Sequence, residues 1–287
     1  MAPRRPGAAD LPIYKLDAFT DRLFRGNPAA VMPLEKWLPA GTMQRIAAEN
    51  NLSETAFIVP APSRGTGDKS PRFAIRWFTP AIEVALCGHA TLASGWVVLT
   101  HIVPKAKGVT FNSKSGPLYV SRCVNRGAGM LELDFPALPP QPASAALQRR
   151  VAKALGTTVD ELWRSDRLMA VLPNARAVHR AAPDFAALAA LPGKGLIITA
   201  RAGATDKPAD FVSRYFAPYA GVNEDPVTGS AHCTLVPYWA RQLGKQRLHA
   251  RQVSSRVGDL FCEMRGDRVA MAGKVALYLQ GTVHVAA

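Results

Sequence analysis

The sequence predicts an α+β protein built from two similar domains, each mostly sheet wrapped around one buried helix. Three observations lead there. A signature occurs twice, as Arg76-Trp77-Phe78-Thr79-Pro80 leading to Cys87-Gly88-His89-Ala90-Thr91, and as Arg214-Tyr215-Phe216-Ala217-Pro218 leading to Thr228-Gly229-Ser230-Ala231-His232. The second copy starts about half the 287-residue chain after the first, which is the mark of a duplicated domain. Each copy opens a segment without formal charge, Ala90 to Thr100 and, with His neutral, Ala231 to Ala240. A helix that is neutral on all sides belongs in an interior. Finally, Pro136 to Pro142 holds four prolines near the midpoint and predicts a linker.

Taken in order, Met1 to Asp10 has Arg4 and Arg5 but no apolar core behind them, so it reads as a loose tail and not a secretory signal. Strands are expected over 13–20 and 28–32, then an amphipathic helix over 42–50 with Met43, Ile46 and Ala47 on one face. Ser53 to Val59 alternates as a strand that puts Glu54 on the same side as Ala56 and Ile58. Pro60 to Pro71 is a Ser, Gly and Pro loop. Strands follow over 72–78, 108–112, 116–122 and 130–135, with the first neutral helix between the first two. In the second half, 143–155, 158–163 and 184–190 read as helices. Strands are expected over 168–172, 196–200, 211–216, 248–254, 260–264, 268–272 and 274–285. Pro237 lies inside the second neutral helix and predicts a kink there. The domains are therefore expected at 11–135 and 143–287, with room for the C-terminal strand to cross into the first.

Composition narrows the function classes. Lys plus Arg number 35 against 21 Asp plus Glu, a net charge of +14, but the basic residues are scattered without aromatic interleaving, so nucleic-acid binding is not expected. The charge suits steering of a small anionic substrate. No apolar run reaches the roughly 18 residues of a membrane span. Cys87, Cys123, Cys233 and Cys262 lie far apart, the six histidines form no metal-ligand cluster, and no phosphate-cradling glycine loop is present. Free thiols in a reducing cytoplasm, with no metal and no nucleotide cofactor, are the expectation.

Chemistry is expected at two helix starts, Gly88-His89 and Gly229-Ser230, where unpaired backbone N–H groups and a partial positive charge favour anions. Glu54 has two readings, an acid tilted into water at a strand end or a partly desolvated carboxyl suited to proton transfer. Asp225, held extended before Pro226, either braces its loop or shares donor and acceptor roles with Glu54 and His89.

Several blocks resemble the phenazine-biosynthesis isomerase (PhzF-like) family: Asp17-Ala18-Phe19-Thr20, Gly26-Asn27-Pro28-Ala29-Ala30-Val31, Asn50 to Phe57, Phe78-Thr79-Pro80 to Thr91, and Glu224 to His232. The resemblance implies the diaminopimelate-epimerase-like fold, two strand barrels each around a helix with the site in the cleft between them. It also implies a cofactor-independent enzyme, in many members a homodimer, that moves a proton between carbons. By that resemblance Glu54 is the acid/base, with His89, Asp225 and Ser230 in support, and Gly88 and Gly229 help bind a small carboxylate. Related epimerases oppose two cysteines; Cys87 aligns with the first, but Thr228 stands at the second, and a hydroxyl is far too weak an acid for that exchange. A two-base epimerase using Cys87, or a non-catalytic small-molecule binder on the same fold, are the alternatives.

Overall fold

The computed structural model describes residues 9–62, 70–123 and 127–285; the expected tail over 1–8 and most of the loop over 60–71 lie outside the described residues. The chain forms two compact units, one of residues 1–24, 28–133 and 274–287, the other of 25–27 and 134–273. The first contains β1 (Ala9–Ala18), β2 (Asn27–Pro33), α1 (Ala40–Asn50), β3 (Glu54–Pro60), β4 (Arg72–Phe78), β5 (Glu83–Val84), α2 (Gly88–Val97), β6 (Gly108–Ser113), β7 (Gly116–Arg122) and the start of β8 (Leu131–Pro136). The second contains β9 (Gln141–Pro142), α3 (Ala145–Leu155), β10 (Glu161–Arg164), β11 (Leu168–Val171), α4 (Ala175–Arg180), α5 (Phe185–Ala189), β12 (Leu196–Arg201), β13 (Phe211–Ala217), β14 (Val222–Asp225), α6 (Gly229–Leu243), β15 (Arg247–Gln252), β16 (Gly258–Arg265) and β17 (Arg268–Gly273). The last strand, β18 (Val275–Val285), belongs to the first unit, where it runs antiparallel to β1.

The pairing pattern is the same in both units. In the first, β2 is parallel to β3, β3 antiparallel to β4, β4 parallel to β6, and β6, β7 and β8 follow antiparallel, with β5 folded back on β4. In the second, β11, β12, β13, β15, β16 and β17 repeat that order and those directions, with β14 folded back on β13. The added strands correspond too: β18 flanks β1, and β9 flanks β10.

Each sheet wraps its neutral helix. α2 packs against β1, β3, β6, β7 and β18, and α6 against β15, β16 and β17. Such burial requires every polar side chain to find a partner. Thr91 bonds back to the Cys87 carbonyl and Ser94 Oγ donates to Ala90 O at 2.7 Å. In α6, His232 Nδ1 lies 2.8 Å from Thr228 O and Ser165 Oγ 2.9 Å from Thr234 Oγ1. Gly95 admits β7 to the helix flank, since a Cβ there would meet Val120 Cγ1 and Cβ. The amphipathic α1 buries Met43, Ile46 and Ala47 as its period predicts, and ends at Asn51 in the left-handed region (φ 47°).

The repeated arginine braces each sheet. Arg76 holds Glu83 on β5 through Nε–Oε1 and Nη2–Oε2 contacts of 2.8 Å, and its guanidinium lies over the Phe78 ring, 5.2 Å from the centroid. Arg214 grips Glu224 on β14 in the same bidentate way, at 2.7 and 2.9 Å, and lies over Phe216 at 5.0 Å. Arg and Phe two apart on a strand share a face, which is why the spacing recurs.

Several expectations need correcting. Residues 158–163 contain no helix; they lead into β10, whose Leu162 is buried while Glu161 and Arg164 are exposed. The stretch over 221–228 begins as β14, and α4, capped by Asn174 Oδ1 accepting from Ala177 N at 2.9 Å, was not expected. The proline-rich segment 136–142 sits within the second unit, where Ala137 N donates to Asp267 O and Leu138 N to Cys233 O, each at 2.8 Å. Strand β1 begins at Ala9, inside the expected tail, whereas β18 lies in the first unit, the crossing for which the expected boundaries left room. No helix among the described residues is long and apolar enough to cross a membrane.

Hydrogen bonding from the Arg76 guanidinium holds the Glu83 carboxyl down at about 2. A depressed carboxylate stabilises the fold above its unfolded pKa and loses that contribution as pH falls through the folded value. The expected outcome for Glu83→Gln, followed by urea unfolding between about pH 5 and pH 2, is a shallower loss of stability with acid than in the parent protein. Identical acid limbs would show the pair contributes nothing.

Candidate active site

Glu54 is the first residue of β3, where the chain emerges from the turn at Asn51, and its side chain is 18% exposed. His89 is the second residue of α2 and is buried. Glu54 Oε2 lies 3.2 Å from His89 Nε2, and Cys87 Sγ lies 3.5 Å from His89 Nδ1. The imidazole thus stands between a carboxylate and a thiol. The ligating atoms of the three residues lie within 4.8 Å of one another, so among the described residues this group could hold a metal ion. Its two contacts use opposite ring nitrogens, however, an arrangement that suits passing protons along a line better than surrounding a cation.

Both helix starts keep their first-turn amides free of side-chain caps. Cys87 is the N-cap of α2 and Thr228 that of α6, both extended, and neither side chain bonds to a first-turn N–H. Gly88 and Gly229 are the first helical residues and are buried, so neither they nor Ser230 act as caps. The partial positive charge of each helix end is left available to an anion.

In the second unit the structure places Asp225 at the end of β14 and commits both its oxygens. Asn27 Nδ2 donates to Oδ1 at 2.8 Å and also to Val227 O at 2.8 Å, while the Thr228 hydroxyl donates to Oδ2. Gln252 closes the loop, accepting from Thr228 N at 2.8 Å and donating to Asp225 O at 2.7 Å. Both Asp225 carboxylate oxygens are thus bonded to Asn27 and Thr228. Ser230, two residues beyond Thr228, belongs to a separate group: Arg167 Nη1 donates to its Oγ at 3.1 Å.

Sequence reasoning singled out Glu54, His89, Asp225 and Ser230, and the structure brings Glu54 and His89 into contact within the first unit. It did not single out Asn27, Arg167 or Gln252, which bond to Asp225, Ser230 and Thr228. Asn27 sits within the quoted Gly-Asn-Pro block, a signal read only as a turn; Arg167 and Gln252 carried none. His232, fully enclosed, is pushed by burial to about 4 and stays neutral, and burial drives the Cys233 thiol up to about 12, so neither is a ready proton carrier.

Two repeated sheets each wrap a buried helix, with a carboxylate beside an imidazole at the tip of one of them, and the comparisons say which class of protein carries this fold. The model of phenazine biosynthesis-like proteins (PhzC-PhzF) matches residues 16–282, and the chain belongs to that family. It is 46% identical over 276 residues to an uncharacterized isomerase of Pseudomonas aeruginosa, covering 96% of this chain and all of that one. A PhzF-family phenazine biosynthesis protein of Enterococcus faecalis superposes with a TM-score of 0.87 at 43% identity, over 96% of this chain and 100% of that chain. The hydroxyproline epimerase of Agrobacterium vitis, at 8% identity and a TM-score of 0.57 over 97% of this chain and 93% of its own, shares the fold alone. The chain is an isomerase.

Replacing the buried Asn27 by Ala leaves Asp225 Oδ1 and Val227 O without their donor. The expected cost is about 1–3 kcal/mol of unfolding free energy, read from the urea midpoint; an unchanged midpoint would remove Asn27 from the loop's support.

Proposed function

We propose that this isomerase transfers a proton between carbons of a small carboxylate-bearing metabolite without a metal or organic cofactor, with Glu54 as general acid and base. The observation that carries the reading is the 3.2 Å approach of Glu54 Oε2 to a buried imidazole at an uncapped helix start. A carboxylate there takes the proton from a C–H beside an unsaturated group. The bonding pair shifts along the π system, and the charge that develops is met by the α2 amides. The same carboxylic acid returns the proton to a second carbon, so one C–H bond breaks, one forms, and no electron is gained or lost. His89 orients Glu54 by contact at Nε2. Asp225 and Thr228 shape the approach to α6, and Gly229 and Ser230 bind the substrate anion. The buried cysteines Cys87, Cys233 and Cys262 are in no disulfide among the described residues, which suits a reducing cytoplasm, and the family resemblance supports a homodimer, which light scattering tests.

One observation favours a second reading. Cys87 Sγ reaches His89 Nδ1 at 3.5 Å, so a thiol could serve as a base of an epimerase. Its counterpart as N-cap is Thr228, whose hydroxyl is already given to Asp225. The opposing thiol of such an exchange is thereby missing.

Candidate carboxylates incubated with the protein in deuterated water should gain deuterium at carbon, and Glu54→Gln should cut that exchange by roughly 10²–10⁴ while the melting temperature is kept. Full exchange by Glu54→Gln would overturn the assignment. Cys87→Ser is expected to keep exchange within about tenfold of the parent rate, below the loss typical of a removed acid/base; a larger loss than that of Glu54→Gln would favour the epimerase reading.

A further inference from the structure

The strand registers align the two units residue by residue. In the first, Phe78 pairs with Thr55, Thr55 with Ala30, and Glu54 with Ala29. In the second, Phe216 pairs with Leu196 and Leu196 with Leu168. Placing Phe78 on Phe216, each beneath its stacked arginine, puts Thr55 on Leu196 and Ala30 on Leu168. One residue earlier on each strand, Glu54 falls on Gly195 and Ala29 on Arg167. The duplication has thus exchanged a carboxylate beside a methyl for a guanidinium beside a bare backbone. Gly195 has φ +95°, and a Cβ on it would press into the Phe216 carbonyl, so that position takes no side chain. Both charged groups address the second residue of their central helix, Glu54 to His89 and Arg167 to Ser230.

We propose that Arg167 is a positioning residue that turns the Ser230 hydroxyl into a donor toward an anionic group of the carboxylate class at the start of α6. This rests on the reading of Ser230 as an anion-binding residue given above, to which it adds what orients the hydroxyl. A guanidinium has no lone pair to offer, so Ser230 Oγ accepts from it and must send its own O–H elsewhere. Among the described residues Arg167 is the one side chain bonded to Ser230 Oγ. Arg167 is 7% exposed and firmly fixed: Nε and Nη2 meet the two Asp166 oxygens at 3.0 and 3.1 Å, and Cζ lies 5.3 Å from the centre of the Tyr215 ring. Burial works against the charge, and the Asp166 carboxylate more than offsets it, holding the guanidinium above its ordinary value. Lys194 Nζ lies 3.7 Å from Asp166 Oδ2, so Arg167, Lys194 and Asp166 together keep one net positive charge behind Ser230.

The experiment uses the full chain and two probes, inorganic phosphate and benzoate, titrated while the amide resonances of Gly229, Ser230 and Ala231 are followed by NMR. Both probes should shift these amides in the parent protein, and neutral benzamide should not. Arg167→Gln should weaken benzoate by roughly ten- to a hundredfold, the scale of one charge-assisted contact, and Arg167→Lys by less. Glu54→Gln should bind benzoate as the parent does while losing deuterium exchange, which separates failure of this inference from failure of the acid/base assignment. Should Arg167→Gln not fold, Ser230→Ala reads the same contact, with a loss of about tenfold expected. Amides unmoved by either probe, equal binding of benzamide, parent-like affinity in Arg167→Gln or Ser230→Ala, or losses in the Gln and Lys variants that only track melting temperature would each overturn the proposal.

Discussion

Enclosing a helix on every side puts a cost on each polar group left without a partner, and both halves of this chain reduce that cost in one way, although His232 Nε2 stays buried without a hydrogen bond. In α2 and α6 the fourth residue bonds back to the N-cap carbonyl, Thr91 to Cys87 and His232 to Thr228. Inward-facing polarity is thereby cancelled locally, and the sheets close around what is left. The first-turn amides receive no side-chain cap, because the N-cap side chains are engaged elsewhere, Cys87 Sγ beside His89 Nδ1 and Thr228 with Asp225. The same arrangement that permits burial of the rod leaves the partial positive charge of its tip without a side-chain cap and able to attract negative charge.

The features legible in the sequence are those set by short-range pattern. The Arg-aromatic-Phe signature could be read because strand period two puts Arg76 over Phe78 and Arg214 over Phe216, and the neutral helices because absence of charge is local. Glu83 and Glu224 escaped notice because what makes them partners is a strand folding back, β5 on β4 and β14 on β13. β10 was mistaken for helix because Leu162 is the buried residue of a four-residue strand, too short to establish its own period. Glu54 was singled out by strand period and His89 by its place at a helix start, and the resemblance supplied their roles, but their contact spans 35 positions, which no local pattern reports. Asn27 and Asp225 are 198 positions apart, and only the folded chain reveals that the asparagine holds the aspartate.

Duplication followed by divergence is visible at matched positions. The braces are kept, Arg76-Glu83 and Arg214-Glu224, because each fixes a sheet and its returning strand. The helix-start residues have diverged: Cys87 became or came from Thr228, and His89 corresponds to Ser230. Structure that both halves need is conserved between them, while the reactive side chains are not shared.

β18 has a consequence for how the molecule comes to be made. Among the described residues it is the last strand, yet its partner is the first, with Ala9 opposite Val285 and Ala18 opposite Val275. During synthesis that edge of β1 therefore waits, without that neighbour, until residues 275–285 have left the ribosome. The amino-terminal half cannot finish folding ahead of the carboxy-terminal half, although it is translated first, and a nascent chain stalled before Val275 would expose an unpaired β edge to other chains.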